Sequence, residues 1–263
     1  MTNPTRQRAL ITGASSGIGE GFARKLAEKN YDLLIAARRK DRLDQLATEL
    51  SGQYGVDVEA IDVDLAQDEG VGMLEERLRS EEIDLLVNNA GFGTVGPFAE
   101  LPIERELEEL RVNIRALVLL SHAALVAMKE RRRGSIINVA STAAFQPIPY
   151  NATYSASKAF VLHFSEALHE EAKEYKVTVT CVCPGPVQTE FQQVAGIDGD
   201  RLPSMMYTSV DTVVDATLSG LRLGRAITVP GPMNMVTAAT SQFAPRFLSR
   251  RIAGNMFRNR GRQ

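Results

Sequence analysis

Short apolar runs alternate with amphipathic stretches along most of the chain. The runs at 8–12, 31–37, 56–61, 84–87, 135–139, 177–183 and 226–229 are rich in Leu, Ile, Val and Ala and are bounded by turn formers. Near-continuous apolar segments this short predict strands of a parallel sheet buried on both faces. Between them, apolar positions recur at three- and four-residue intervals. That period predicts helices ending near residues 29 and 82, over 41–50, 101–131 and 210–223, and on the segment that follows Asn151. Asn151 is the expected N-cap of that last helix. Strand and helix alternate six or seven times. The expected fold is therefore α/β, a doubly wound, Rossmann-like parallel sheet of six to seven strands with helices on both faces, formed by residues 1–263 as a single domain.

Two stretches stand outside the alternation. Residues 184–209 carry glycine, proline and methionine without a clear period, and a connection that long is expected to be a substrate loop. Residues 233–263 set Phe243, Phe247, Leu248, Ile252, Met256 and Phe257 at roughly helical spacing among Arg246, Arg250, Arg251, Arg258, Arg260 and Arg262. This basic amphipathic extension is expected to pack on its own domain or on a second subunit. Peripheral contact with an anionic membrane is the less favoured reading.

Composition narrows the function classes. A chain of 263 residues with 44% hydrophobic and 24% charged residues is ordinary for a globular protein with a large core. A formal net charge of −2 gives no drive toward nucleic acid, so no nucleic-acid partner is expected. No apolar run approaches the roughly 18 residues of a membrane span. Residues 1–8 are polar and lead straight into the first strand, so the expected location is cytoplasmic. Cys181 and Cys183 occupy alternate strand positions on one face and read as small buried hydrophobes. His122, His163 and His169 show no ligand spacing, and no metal site is expected.

The strand ends carry the candidate chemistry. After the first strand comes Gly13-Ala14-Ser15-Ser16-Gly17-Ile18-Gly19 and then a helix. Glycines permit a tight turn and close approach, and the helix N-terminus offers free N–H groups to a phosphate. The spacing is Gly-x-x-x-Gly-x-Gly rather than Gly-x-Gly-x-x-Gly. The second strand ends in Arg38-Arg39, where an acid would suit the ribose of NAD and an arginine suits the 2′-phosphate of NADP. The fourth strand runs into Asn88-Asn89-Ala90-Gly91, which puts polar groups on the ligand-binding edge. Asn113 is an amide among apolar residues and needs partners if buried. Ser141 stands just past the fifth strand. Tyr154 and Lys158 are i and i+4 in the first turns of a helix, on one face. An ammonium there would lower the phenol's pKa and make it a usable acid/base.

Four of these motifs, in this order, resemble the short-chain dehydrogenase/reductase family of single-domain type over about residues 9–229. Thr12 to Gly19 is similar to its cofactor turn and Asn88 to Gly91 to its fourth-strand motif. Tyr154-Ser-Ala-Ser-Lys158 is similar to its catalytic motif, and Pro184-Gly-Pro-Val-Gln-Thr189 to its stretch after the sixth strand. The resemblance implies Tyr154 as general acid/base, Lys158 as its tuner and ribose ligand, Ser141 on the substrate oxygen and Asn113 holding a relay water. It implies Gly13, Ser15, Ser16, Gly17 and Ile18 around the pyrophosphate and Asn89 on the ribose, with Ala90 and Gly91 also cofactor-binding. Asp64-Leu65 would flank the adenine. Val187 and Thr189 would hold the nicotinamide carboxamide, and Pro184 and Gly185 would also bind the cofactor. The implied activity is hydride transfer between NADP(H), with NAD(H) less favoured, and a carbonyl/alcohol pair. A homo-oligomer, dimer or tetramer, is expected with it. Val194, Ile197, Leu202, Met205, Met206 and Tyr207 suggest an apolar wall for an acyl, aromatic or steroid-like ketone. The alternative of another class is a non-catalytic NADP(H)-binding sensor or scaffold. A sugar-nucleotide epimerase would share Tyr-x-x-x-Lys, but a larger C-terminal substrate region would be expected of it.

Overall fold

The computed structural model describes residues 6–191, 207–243, 247, 250–251 and 253–254. Seven strands form one sheet: β1 (Arg8–Thr12), β2 (Asp32–Ala37), β3 (Val58–Asp62), β4 (Leu85–Asn88), β5 (Gly134–Val139), β6 (Val177–Val182) and β7 (Ile227–Thr228). Their order is β3-β2-β1-β4-β5-β6-β7, and every pairing is parallel. The registers Ile11↔Val87 and Val87↔Ile137 stack the central apolar residues across the sheet. The helices are α1 (Gly17–Glu28), α2 (Lys40–Tyr54), α3 (Asp68–Ser80), α4 (Ile103–Leu110), α5 (Leu117–Arg131), α6 (Ala152–Ala172), α7 (Val210–Arg222) and α8 (Pro232–Phe243).

Strand alternation divides the core into two layers. Ala9 and Ile11 face Phe22 and Leu26 of α1 and Leu43 and Leu46 of α2. Leu10, Leu34 and Leu86 face Leu74 and Leu78 of α3 and Leu120 and Ala124 of α5. Cys181 and Cys183 share one face of β6 and its continuation, fully buried, with their sulfurs 3.9 Å apart.

Several boundaries differ from expectation for local reasons. Helix α2 continues to Tyr54, beyond the expected end at residue 50, until Gly55 at φ 66° supplies a left-handed stop. The stretch 101–131 is not one regular helix. Residues Arg111–Ala116 form a π-helical turn between α4 and α5. By composition alone the run Ile103–Arg131 is long and apolar enough to cross a membrane, contrary to the expectation from the sequence. Its α5 half is packed into the core through Leu120, Ala123, Ala124 and Met128. Asn151 occupies the N-cap position of α6, but its side chain does not cap the helix; Nδ2 donates to Thr94 O at 2.5 Å instead. The sheet's two edges are unlike. At one, β3 exposes Glu59 and Asp62; at the other, β7 is two residues long.

Candidate active site

The strand order reverses between β1 and β4, and the loops leaving these strands open a cleft of about 580 Å³ at the carboxyl edge of the sheet. Open α/β sheets bind ligands at this switch point. One wall is the glycine turn. Gly13 (φ 66°) and Gly17 (φ 59°) are left-handed, and a Cβ on Gly13 would lie 2.9 Å from Ala90 Cα. Ser16 precedes α1 without capping it through its side chain, so the first-turn N–H groups suit a phosphate from the cleft. Thr12 locks this turn to β4. Its Oγ1 accepts from the N–H groups of Asn89 and Ala90, each at 3.0 Å, while Asn89 Nδ2 donates to Thr12 O at 2.9 Å.

Arg38, Arg39, Asp64 and Leu65 line the outer end. Arg39 donates to Ser16 Oγ at 2.7 Å and Ser15 Oγ at 3.1 Å, so its guanidinium lies over the glycine turn where an anion would sit. It also donates to Glu190 Oε2 at 2.6 Å, and Arg42 donates to Glu190 Oε1 at 2.7 Å. These two guanidiniums hold the Glu190 carboxyl down at about 2. Arg38 pairs with Glu108 at 3.2 Å. Asp64 accepts from the Ala66 N–H at 3.0 Å. The opposite wall carries Pro184, Gly185, Val187 and Thr189. Val187 forms an isolated bridge with Thr208, and a Cβ on Gly17 would come within 3.1 Å of Thr189 Cγ2. A glycine cradle, an uncapped helix terminus and an arginine beside two hydroxyls together fit a phosphorylated dinucleotide.

Ser141, Tyr154 and Lys158 line the inner end. Ser141 Oγ accepts from the Ala143 N–H at 3.1 Å, fixing its position at the start of a 3-10 turn. Lys158, 4% exposed, donates to Val139 O at 2.9 Å and stands 5.7 Å from the centre of the Tyr154 ring. Burial pulls Lys158 down to about 8. The expected lowering of the phenol is not what the protein's own groups produce. Burial pushes Tyr154 up to about 12, with the neighbouring Ser141 hydroxyl opposing the rise. Desolvation disfavours the phenolate and the ammonium alike, which moves the two pKa values in opposite directions.

Among the described candidates, Asn113 alone does not line the cleft. Its side chain, 1% exposed, accepts from Phe92 N at 3.1 Å and donates to Phe92 O at 2.8 Å and Ser157 Oγ at 3.1 Å. Its side chain therefore braces the loop after β4 against α6. Val95, Ile148, Phe191 and Tyr207 give the cleft beside Tyr154 its apolar lining. The Phe191 and Tyr154 ring centres are 5.3 Å apart. Val194, Ile197, Leu202, Met205 and Met206 lie outside the described residues, as do Arg246, Arg258, Arg260 and Arg262 of the basic extension.

Sequence reasoning missed Thr94, Glu106, Glu109, Glu190 and Phe191, and took Thr12 only as the first residue of the turn motif. A threonine directly before the glycine turn was a readable signal. The glutamates gave none, because acids on a helix or loop ordinarily read as solvated surface.

The chain matches the family model described as short chain dehydrogenase over residues 7–198. It is 34% identical over 267 residues to a very-long-chain 3-oxoacyl-CoA reductase of Phaeosphaeria nodorum, covering 96% of this chain and 75% of the relative. Among solved structures it is similar to a short-chain dehydrogenase from Sphingobium yanoikuyae in complex with NADPH. That likeness has a TM-score of 0.82 and 35% identity, and it covers 90% of this chain and 94% of the other. It is also similar to a bulky-bulky ketone specific alcohol dehydrogenase from Comamonas testosteroni, with a TM-score of 0.78, 31% identity and coverage of 90% and 93%. The chain belongs to the short-chain dehydrogenase/reductase family.

Proposed function

We propose that this protein reduces an apolar, bulky ketone or a 3-oxoacyl group to the alcohol with NADPH, Tyr154 giving the proton. The observation that carries the reading is one cleft holding Arg38 and Arg39 at its outer end and Ser141, Tyr154 and Lys158 at its inner end. NADPH in the Sphingobium relative supports the cofactor. The names of the Phaeosphaeria and Comamonas relatives support the substrate class. Bound NADPH supplies the hydride. Arg39, the glycine turn and the N-terminus of α1 would hold its phosphates, and Thr189 and Val187 would flank the nicotinamide. Ser141 donates a hydrogen bond to the carbonyl oxygen and directs it at the phenol. Burial keeps Tyr154 protonated at neutral pH, so it holds the proton that reduction consumes. The Lys158 ammonium stabilises the negative charge that develops as the proton leaves. Phe191, Val95, Ile148 and Tyr207 exclude water from the reacting carbonyl.

NADPH consumption is the test, with acetoacetyl-CoA, benzil and a short aldehyde as probes and NADH in parallel. Turnover is expected with NADPH. Tyr154→Phe should lower it about a hundredfold or more while leaving NADPH affinity unchanged. Tight NADPH binding without turnover of any probe would favour the sensor reading instead.

A further inference from the structure

Helix α4 is packed inside out. Ile103, Leu107 and Leu110 are 53%, 46% and 36% exposed, whereas Glu106 and Glu109 are 3% and 0% exposed. Two carboxyls buried in place of three available apolar side chains are expensive, and such groups persist where they are used. Both meet the Thr94 hydroxyl, which lies 2.5 Å from Glu106 Oε1 and 3.1 Å from Glu109 Oε2. Thr153, next to Tyr154, donates to the other Glu106 oxygen. A threonine hydroxyl has one hydrogen. Thr94 can therefore donate fully to only one of the two carboxyls at a time, so ionising both leaves the pair short of a donor. No donor among the described residues reaches Glu109 Oε1.

The pair lies behind the acid/base residues. Thr94 follows Gly93, which packs on the Tyr154 ring: a Cβ there would lie 2.8 Å from Tyr154 Cδ2. Gly91 sits between Asn113 and Lys158, where a Cβ would lie 2.9 Å from Asn113 Oδ1 and 3.2 Å from Lys158 Nζ. Glu109 is four residues before Asn113 on the same helical run. The ionisable groups within electrostatic reach of Glu109 are Glu106 on α4 and Tyr154 and Lys158 on α6. We propose that Glu109 is the buried counter-charge of Lys158, a positioning residue that, when ionised, holds the Lys158 ammonium charged beside the Tyr154 phenol during carbonyl reduction. Its charge raises the pKa of both Tyr154 and Lys158, and burial places its own at about 7. The role rests on the reading of Tyr154 and Lys158 as the acid/base pair.

The test compares wild type, Glu109→Gln and Glu109→Asp in pH profiles of kcat/KM for NADPH-dependent reduction of acetoacetyl-CoA or benzil. Removing the anion takes away a charge that favours the Lys158 ammonium, the group of the pair that titrates nearest the working range. The alkaline limb of Glu109→Gln should therefore move down by about half to one pH unit. Glu109→Asp should restore it. Superimposable profiles for wild type and Glu109→Gln overturn the proposal, since a purely structural role changes kcat or yield but not the limb. Infrared titration of the cofactor-free wild type needs no turnover. A protonated-carboxyl band should vanish as pH rises through about 7, be absent from Glu109→Gln and be displaced in Glu109→Asp. Absence of such a band in wild type also overturns the proposal, even where Glu109→Gln does not fold. A protein that shows the band but reduces no probe contradicts the proposed reaction and leaves the buried acid established.

Discussion

The Arg39 guanidinium is held from both sides of the cleft, by Ser15 and Ser16 on the glycine turn and by Glu190 on the opposite wall. A 2′-phosphate arriving there competes with the Glu190 carboxylate for the same donors. Glu190→Gln is therefore expected to lower the Kd for NADPH several-fold with little change for NADH. Arg39→Ala should weaken NADPH far more than NADH, and fluorescence titration of both cofactors measures each effect. Equal changes for the two nucleotides would remove Arg39 from the phosphate site. Arg39 was readable because it ends a strand directly opposite a glycine turn. Its clasp with Glu190 was not, because 151 residues separate the partners and nothing in a local window links them.

Among the elements, the junction of β1 and β4 depends on Thr12, 1% exposed, whose single oxygen serves two backbone N–H groups. Thr12→Val keeps the shape and strands both donors, so unfolding in urea should show a loss of about 2 kcal/mol. Thr12→Ser should retain most of it, and equal losses would mean that packing rather than hydrogen bonding matters there. The strands were legible because a parallel sheet buried on both faces leaves uninterrupted apolar runs, and the motifs at their ends placed nearly all of the cleft. Helix α4 was not legible. The spacing of Ile103, Leu107 and Leu110 marks an inward face by the usual rule, yet these residues point out and the glutamates in. The π turn at Arg111–Ala116 shifts the helical phase between α4 and α5, so a single period read across 101–131 assigns the wrong face to the first half. The altered pKa values of Tyr154 and Lys158 were equally hidden, because they depend on enclosure by distant loops rather than on the four-residue spacing.

For the molecule as a whole, the buried acid makes stability depend on pH. Glu109 has a folded-state pKa of about 7 against an ordinary 4.5. Between those values the folded state binds more protons than the unfolded one, so this group's contribution falls as pH rises through that window and is fully lost above about 7. Relative to wild type, Glu109→Gln should gain Tm at pH 8 compared with pH 5.5. A difference that does not vary with pH would show that Glu109 does not titrate in this range. The sheet that carries the cleft has a further consequence at its margins. An unpaired strand is a template for joining another chain, and long flat edges invite stacking of partly opened molecules. Here β3 is five residues long with exposed charged side chains at Glu59 and Asp62, and β7 offers only two residues of ladder. Both margins of the described sheet thus discourage end-to-end growth, which favours recovery of dispersed protein over fibrous aggregate after thermal stress.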